Sequence, residues 1–446
     1  MNDDRSTAAG QPLSATRFEA PPAAPTEGRL DAALMKDVLA ASLVNGLALF
    51  DFIVFGFFAA MLGDRLFPFT APMSAPLLVA ATLGAGLLAQ PLGGIFVGAY
   101  AERRGRQRAV LLGGGLATAG TAMLVLSPSH AQVGLAAPAI AVVARLLQGI
   151  GLGGVGGPVA ALLMEAAPQR RRALLLGCRL AGNGLAPLLG ASLSLLMTHL
   201  LTPAQLFAWG WRAAFAAGLP LIGAACYLGR RQPTPGSPGQ VANPLAPMWR
   251  AHRGTVFKGA LLMGFPAVPL YTLVHIMPAY IAAPARGLGS MTSLAASALS
   301  GSLLIVLGPL SGLAVDALPR RKPLLLASIA GAALGVYALF RWMPGADPTA
   351  WLFASIGLIT ALSALGSCAA TVLVLEALPR ELRACGYGAA YALGSALFGS
   401  TAGFIVTALM KWTATPMSMA WNAILCCMLG ACAAIALEER APAAAR

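Results

Sequence analysis

Long apolar runs broken by short polar turns organise this chain. Residues 77–100 and 109–127 carry no charge, and each run is long enough to cross a bilayer as a helix, which takes about 20 mainly apolar residues. Between them lies Gly98-Ala-Tyr-Ala-Glu-Arg-Arg-Gly-Arg-Gln-Arg-Ala-Val110, an arginine-rich turn that the positive-inside bias places on the cytoplasmic side. A related turn recurs in the second half as Gly312-Leu-Ala-Val-Asp316-Ala-Leu-Pro319-Arg320-Arg321-Lys322. The repetition predicts a polytopic membrane protein of two similar halves, the usual architecture of a secondary transporter.

Twelve candidate runs fall near 37–62, 77–101, 107–127, 134–160, 172–199, 207–228, 256–283, 293–317, 323–342, 350–376, 384–410 and 416–437. They predict an all-α fold of two pseudo-symmetric six-helix bundles, residues 36–228 and 256–437. The segment 229–255 holds Arg230, Arg231, prolines at 233, 235 and 238, and Arg250 and Arg253, and reads as a cytoplasmic linker between the bundles. Residues 1–35 are polar and have no apolar core of signal-peptide type. They read as a disordered cytoplasmic tail, with the first helix as the insertion signal and 438–446 as a second short tail.

Charge supports this topology. One set of connections holds Arg103, Arg104, Arg106 and Arg108, then Arg170 to Arg172, Arg230 and Arg231, Arg320 to Lys322, and Arg380 with Arg383. The alternate connections hold only single basic residues, Arg65, Arg212, Arg286, Arg341 and Lys411, so both termini are expected in the cytoplasm of an inner-membrane protein. Hydrophobic residues make up 58% of the chain and charged residues 10%, against about 25% charged in soluble domains, which excludes a water-soluble fold. The net charge of +14 does not indicate nucleic acid, because the basic residues sit in short clusters between apolar runs and make no single face. The seven cysteines lack metal-ligand spacing and read as small packing residues. No Gly-x4-Gly-Lys-Ser/Thr loop, metal cluster or Ser-His-Asp arrangement is readable, so neither ATP-driven transport, nor a cofactor, nor enzyme activity is expected. The run Gly149-Ile-Gly-Leu-Gly-Gly-Val-Gly-Gly157 lies inside an apolar span and reads as close helix packing, or as the ordinary glycine content of membrane helices.

Several motifs carry a resemblance. Gly98, Ala101, Glu102, Arg103, Gly105 and Arg106 resemble the signature between helices two and three of the major facilitator superfamily, and Arg145-Leu-Leu-Gln148-Gly149-Ile-Gly151 resembles its fourth-helix motif. Asn45 with Phe50-Asp51-Phe52 and Phe55-Gly56, Gln90-Pro-Leu-Gly-Gly94 and Trp209-Gly-Trp-Arg212 resemble the metabolite–proton symporter family. Leu378-Pro-Arg-Glu-Leu-Arg383 and Ala396-Leu-Phe-Gly399 add to that resemblance, which runs from about residue 36 to 437 and looks nearest to citrate and tricarballylate carriers. Three positions depart from the family pattern: Ala48 and Val155 stand where acids are common, and Gln90 where arginine is.

Ionisable groups inside a bilayer are costly and are functional candidates by default. Asp51 is the one acid well inside a span, roughly 20 Å from the helix start at about 1.5 Å per residue. It is the candidate proton carrier, or else a structural acid held by an arginine or by backbone donors. Arg145 and Arg179 are the matching cations, suited to gripping a carboxylate through a bidentate fork. Arg145 belongs to a superfamily-wide motif and is assigned to coupling, whereas Arg179 is the preferred substrate anchor. The resemblance implies that helices one, four, seven and ten line a central cavity, which adds Asn45, Gln148 and Tyr271 as substrate-binding candidates. His275 could share the proton role that Ala48 leaves open. Asn183 and Tyr391 are further substrate candidates. Glu102, Arg103, Arg106, Glu165 and Asp316 with Arg320 are expected to form cytoplasmic charge networks that pair differently as the protein changes state.

These expectations describe a functional monomer in the lipid bilayer that imports a small carboxylate, such as a di- or tricarboxylate, with protons by alternating access. A rival keeps the fold and reverses the coupling, because Gly182-Asn-Gly-Leu-Ala-Pro187-Leu-Leu-Gly190-Ala resembles a degenerate drug–proton antiporter motif. A non-transporting membrane sensor is the other alternative.

Overall fold

The computed structural model describes residues 32–67, 74–230, 241–271, 291–342, 348–413, 415 and 417–439, and no strand occurs among them. The spanning helices of the first half are α1 (Ala32–Phe57), α2 (Ser74–Arg104), α3 (Arg106–Val125), α4 (Ala136–Ala166) and α5 (Arg172–Leu200). The sixth, α6, is built in pieces: a π-helical turn Leu206–Gly210, then Trp211–Ala216 and Leu221–Gly229. The second half contains α7 (Arg253–Tyr271), α8 (Met291–Asp316), α9 (Lys322–Trp342) and α10 (Pro348–Ala377). In α11 the segments Arg383–Gly394 and Ser400–Thr413 flank a π-helical turn Ser395–Gly399, and α12 runs Met417–Ala436. Among the described residues nine helices are long and apolar enough to cross a membrane. The other three spans are the segmented α6 and α11, and α7, whose described part stops at Tyr271.

Helices dominate because a bilayer offers no hydrogen-bond partner to an exposed backbone. The outer surface confirms the solvent: Leu88, Phe96, Leu334, Leu358, Met428 and Ile435 are all more than half exposed. Between α2 and α3 the chain reverses at Gly105, whose φ of 100° is open to glycine and strained for other residues.

The two halves meet along α2 and α4 against α11, and along α5 against α8. These crossings are tight because glycine lines them. A Cβ added to Gly157 of α4 would lie 2.8 Å from the Cα of Gly388 in α11, and one added to Gly308 of α8 would lie 2.8 Å from the Ala181 nitrogen in α5. Gly156 of the same run faces the Tyr391 ring of α11, while Gly149 and Gly153 close on their own half against the backbone of Gly86 and Gln90 in α2. The run is therefore a packing device on both sides of α4, as small residues are in membrane helices generally.

Gly157→Val should cost about 1–3 kcal/mol by overpacking this crossing. The expected outcome is a melting temperature several degrees lower in detergent, while Gly357→Ala, where a Cβ meets nothing within 4 Å, leaves it unchanged. Equal melting temperatures for the two variants would contradict the tight crossing.

Candidate functional site

Buried polar groups gather in three places, and helix phase decides which residues reach each one. The first cluster is internal to the first half. Asp51 on α1 is 1% exposed, and its Oδ2 accepts hydrogen bonds from the Thr121 hydroxyl on α3 and from Gln148 Nε2 on α4, the latter at 3.0 Å. Gln148 Nε2 also lies 3.0 Å from Thr121 Oγ1. Arg145, one turn before Gln148, is fully buried and donates from Nη2 to the Asp51 carbonyl oxygen at 3.2 Å. Its guanidinium carbon sits 3.8 Å from the centre of the Phe55 ring and 5.1 Å from that of Phe52. Aromatic faces thus supply part of the compensation that a carboxylate would otherwise give. Asp51 and Arg145 are neighbours without a direct ion pair, and Asp51 Oδ1 has no hydrogen-bond partner.

The second cluster bridges the halves. Arg179 on α5, 2% exposed, donates to Tyr387 Oη on α11 at 3.0 Å and to Asn45 Oδ1 on α1 at 3.4 Å. Tyr387 Oη is 3.3 Å from Thr371 Oγ1 on α10, and Asn45 in turn donates to Asn183 Oδ1 one turn along α5 from Arg179. The Tyr387 and Tyr391 rings are stacked with centroids 6.1 Å apart and planes 21° apart. Among the described residues, no carboxylate lies within ion-pair distance of Arg179, and its Nε is buried without a partner. A buried guanidinium surrounded only by neutral dipoles is an incomplete arrangement, and an anionic ligand would complete it.

The third cluster lies at the arginine-rich end. Arg106 pairs with Glu102 and with Glu165 at 2.9 Å each, and donates to the Arg380 carbonyl across the seam at 2.9 Å. Glu102 Oε1 accepts from the backbone nitrogens of Ala384 and Cys385, at 2.8 and 3.3 Å, in the first turn of α11. Its counterpart in the second half, Asp316, accepts from the backbone nitrogens of Ala173 and Leu174, at 3.0 and 2.8 Å, in the first turn of α5. Each acid ends one helix and caps the unsatisfied N–H groups of a helix in the other half, a charge–dipole contact of about 0.3–2 kcal/mol.

Two expected members of this network are displaced. Arg103 and Arg320 are exposed, and the ion pair near Asp316 is made by Arg321 with Glu376. Arg103 follows Glu102 on α2 and its helix phase turns it outward, whereas Arg320 and Arg321 lie in the turn between α8 and α9, whose path brings Arg321 to Glu376. Of the α7 candidates, the Tyr271 side chain and His275 lie outside the described residues. Thr121, Thr371 and Tyr387 were not singled out from the sequence; the one available signal was that Tyr387 stands one helical turn before Tyr391.

The bundle places buried charges inside one half and along the seam between the halves. The chain belongs to the major facilitator superfamily, whose profile matches residues 52–403. It is 27% identical over 406 residues to the citrate-proton symporter of Klebsiella pneumoniae, covering 87% of this chain and 89% of that protein. It is 28% identical over 385 residues to the alpha-ketoglutarate permease of Escherichia coli, covering 83% and 86%. The fold matches the solved structure of the proton:xylose symporter XylE with a TM-score of 0.74 at 17% identity, over 90% of this chain and 94% of that one. The protein is a multi-pass membrane transporter of the twelve-helix, two-domain type and not an enzyme.

Cys385 is fully buried under the Glu102 cap and serves as a natural reporter of the seam. Glu102→Gln removes the charge from that cap, and peptide-resolved mass spectrometry should find Cys385 alkylated by N-ethylmaleimide at least fivefold faster. An unaltered rate would mean that the cap does not hold this end shut.

Proposed function

We propose that the chain imports a small organic carboxylate together with one or more protons by alternating access, with both termini and the arginine-rich end in the cytoplasm. The observation that carries this reading is Arg179, a buried cation on the seam whose described hydrogen-bond partners are all neutral. A substrate carboxylate entering from outside would take the place of Asn45 and supply the missing charge, gripped by the planar fork of the guanidinium. Asn45, Asn183 and Tyr391 would complete the substrate site.

Asp51 is the proposed proton carrier, with Arg145 and Gln148 setting its environment and His275 a second candidate for the proton role. Proton binding and substrate binding then occur in two clusters joined through α1, which carries both Asp51 and Asn45. Opening toward the cytoplasm requires the Glu102 and Asp316 caps to release, so gating and transport share the same seam. Neutralising the buried charges before the seam opens lowers the cost of moving them past one another. Citrate and 2-oxoglutarate, named for the relatives, are the first compounds to assay. Gly182 and Gly184 meet the backbones of Ser42 and Gly301 closely, a packing that the antiporter alternative shares, and the direction of coupling is read from the same uptake assay.

Uptake of radiolabelled carboxylates into proteoliposomes tests this directly. An imposed inward proton gradient should drive accumulation by the wild type, while Asp51→Asn abolishes accumulation and retains exchange of internal for external substrate. Gradient-driven accumulation by Asp51→Asn at wild-type level would remove Asp51 from coupling. Arg179→Lys should raise the apparent KM at least tenfold at equal protein level, and an unaltered KM would remove Arg179 from the site.

A further inference from the structure

We infer that Asp51 exchanges its proton with the outer solution by a path of its own, apart from the substrate route, and that the outer piece of α6 is the gate of that path. This rests on the proposed proton role of Asp51 and on the placement of the arginine-rich end in the cytoplasm. Position on α1 sets Asp51 apart from the seam. Asn45, which meets Arg179, and Asp51 are six residues apart, about 9 Å along the helix and about 120° around it. The groups against the Asp51 carboxyl all belong to the first half: Thr121 of α3, Gln148 of α4 and Gly218 of α6. Arg145 of α4 is its one charged neighbour among the described residues. A carboxyl closed off from the seam needs another way to water.

The break in α6 supplies one. α3 and α4 run unbroken past the carboxyl, but α6 loses its helix between Ala216 and Leu221, and Gly218 lies in that gap. A Cβ on Gly218 would lie 2.6 Å from Asp51 Oδ1, so the break rests on the oxygen that has no hydrogen-bond partner. On the outer side of the break, the piece Trp211–Ala216 carries Trp211 and Phe215, both fully buried. Their rings meet edge-on, and Phe215 meets Phe55 in the same way, with centroids 6.4 Å apart. Phe55 is the ring that faces the Arg145 guanidinium, so the three rings roof the site shared by Asp51 and Arg145. Arg212 fastens the piece by donating to the Val125 and Ser127 carbonyls at the end of α3, at 3.0 and 2.7 Å. Polar capping boxes, Ser129 with Gln132 and Thr202 with Gln205, mark this level as the edge of the bilayer. Gly218 is six residues past Arg212, only about 9 Å deeper. At the outer end of that short distance Ser127 Oγ and Trp211 Nε1 are buried without a hydrogen-bond partner among the described residues, and such atoms are where buried water sits. An aromatic roof tied by an arginine at one end and hinged at a helix break at the other can swing aside while the seam stays as it is.

Labelling of Asp51 by a water-soluble carbodiimide with glycine ethyl ester tests the gate with no substrate present. The protein is reconstituted in liposomes and the labelled peptide is quantified by mass spectrometry. Phe215→Ala opens the roof and Arg212→Gln releases its tie, and each should label Asp51 at least about fivefold faster than the wild type, as a modest rise in a locally open population gives. Cys178, half-buried next to Arg179 on α5, reports on the substrate route, and its alkylation by N-ethylmaleimide should be unchanged in both variants. Unchanged labelling of Asp51 in both would overturn the separate path and leave the proton role of Asp51 standing on the uptake assay. Faster labelling matched by equally faster alkylation of Cys178 would mean that the reagent arrives along the seam, and would overturn it too. Gradient-driven accumulation by Asp51→Asn at wild-type level would instead remove the proton role itself. If Phe215→Ala does not fold, Arg212→Gln, whose guanidinium is spent on the end of α3, decides alone.

Discussion

A charge taken into the bilayer must be matched where it sits, and this structure is arranged around how incompletely that is done. Arg106 is matched twice over by carboxylates. Arg145 is matched partly by a backbone carbonyl and partly by the faces of Phe55 and Phe52. Arg179 has only a phenol and an amide. Compensation thus falls from full at the basic end to partial deeper in the bundle.

The same logic governs the seam. Helix N-termini carry unsatisfied N–H groups, and a carboxylate is their best partner. Both halves use this in the same way, with Glu102 of α2 capping α11 and Asp316 of α8 capping α5. The contacts are individually modest, and the glycine-lined crossings beside them let the backbones come close enough for the caps to form. A seam held by a few caps and dispersion contacts can open without a large barrier, whereas one stitched by many ion pairs could not. Arg179 to Tyr387 adds a tie across the same seam, so a ligand that engages the arginine acts on the contact between the halves.

Much of this was legible beforehand, for physical reasons. Hydrocarbon thickness dictates the length of each apolar run, so spans and their number could be read from the chain. The rarity of buried charge made Asp51, Arg145 and Arg179 stand out, and Asn45, Gln148 and Asn183 share helices with them, whereas Tyr391 lies on α11. Thr121, Thr371 and Tyr387 escaped because an uncharged polar residue in an apolar helix looks the same whether it binds its own backbone or a distant side chain. Arg320 and Arg321 are adjacent in the turn between α8 and α9, and only the path of that turn chooses which meets Glu376. The breaks in α6 and α11 were hidden too, since a π-helical turn leaves composition unchanged.

Two separate buried charges, one for the proton and one for the anion, are the centre of this account. Proton uptake on ligand binding, obtained from calorimetry of the purified protein in buffers of different ionisation enthalpy, tests it most directly. The wild type should take up a proton as a carboxylate binds, Asp51→Asn should bind the same carboxylate without proton uptake, and Arg179→Gln should do neither. Equal proton uptake by the wild type and Asp51→Asn would contradict the account.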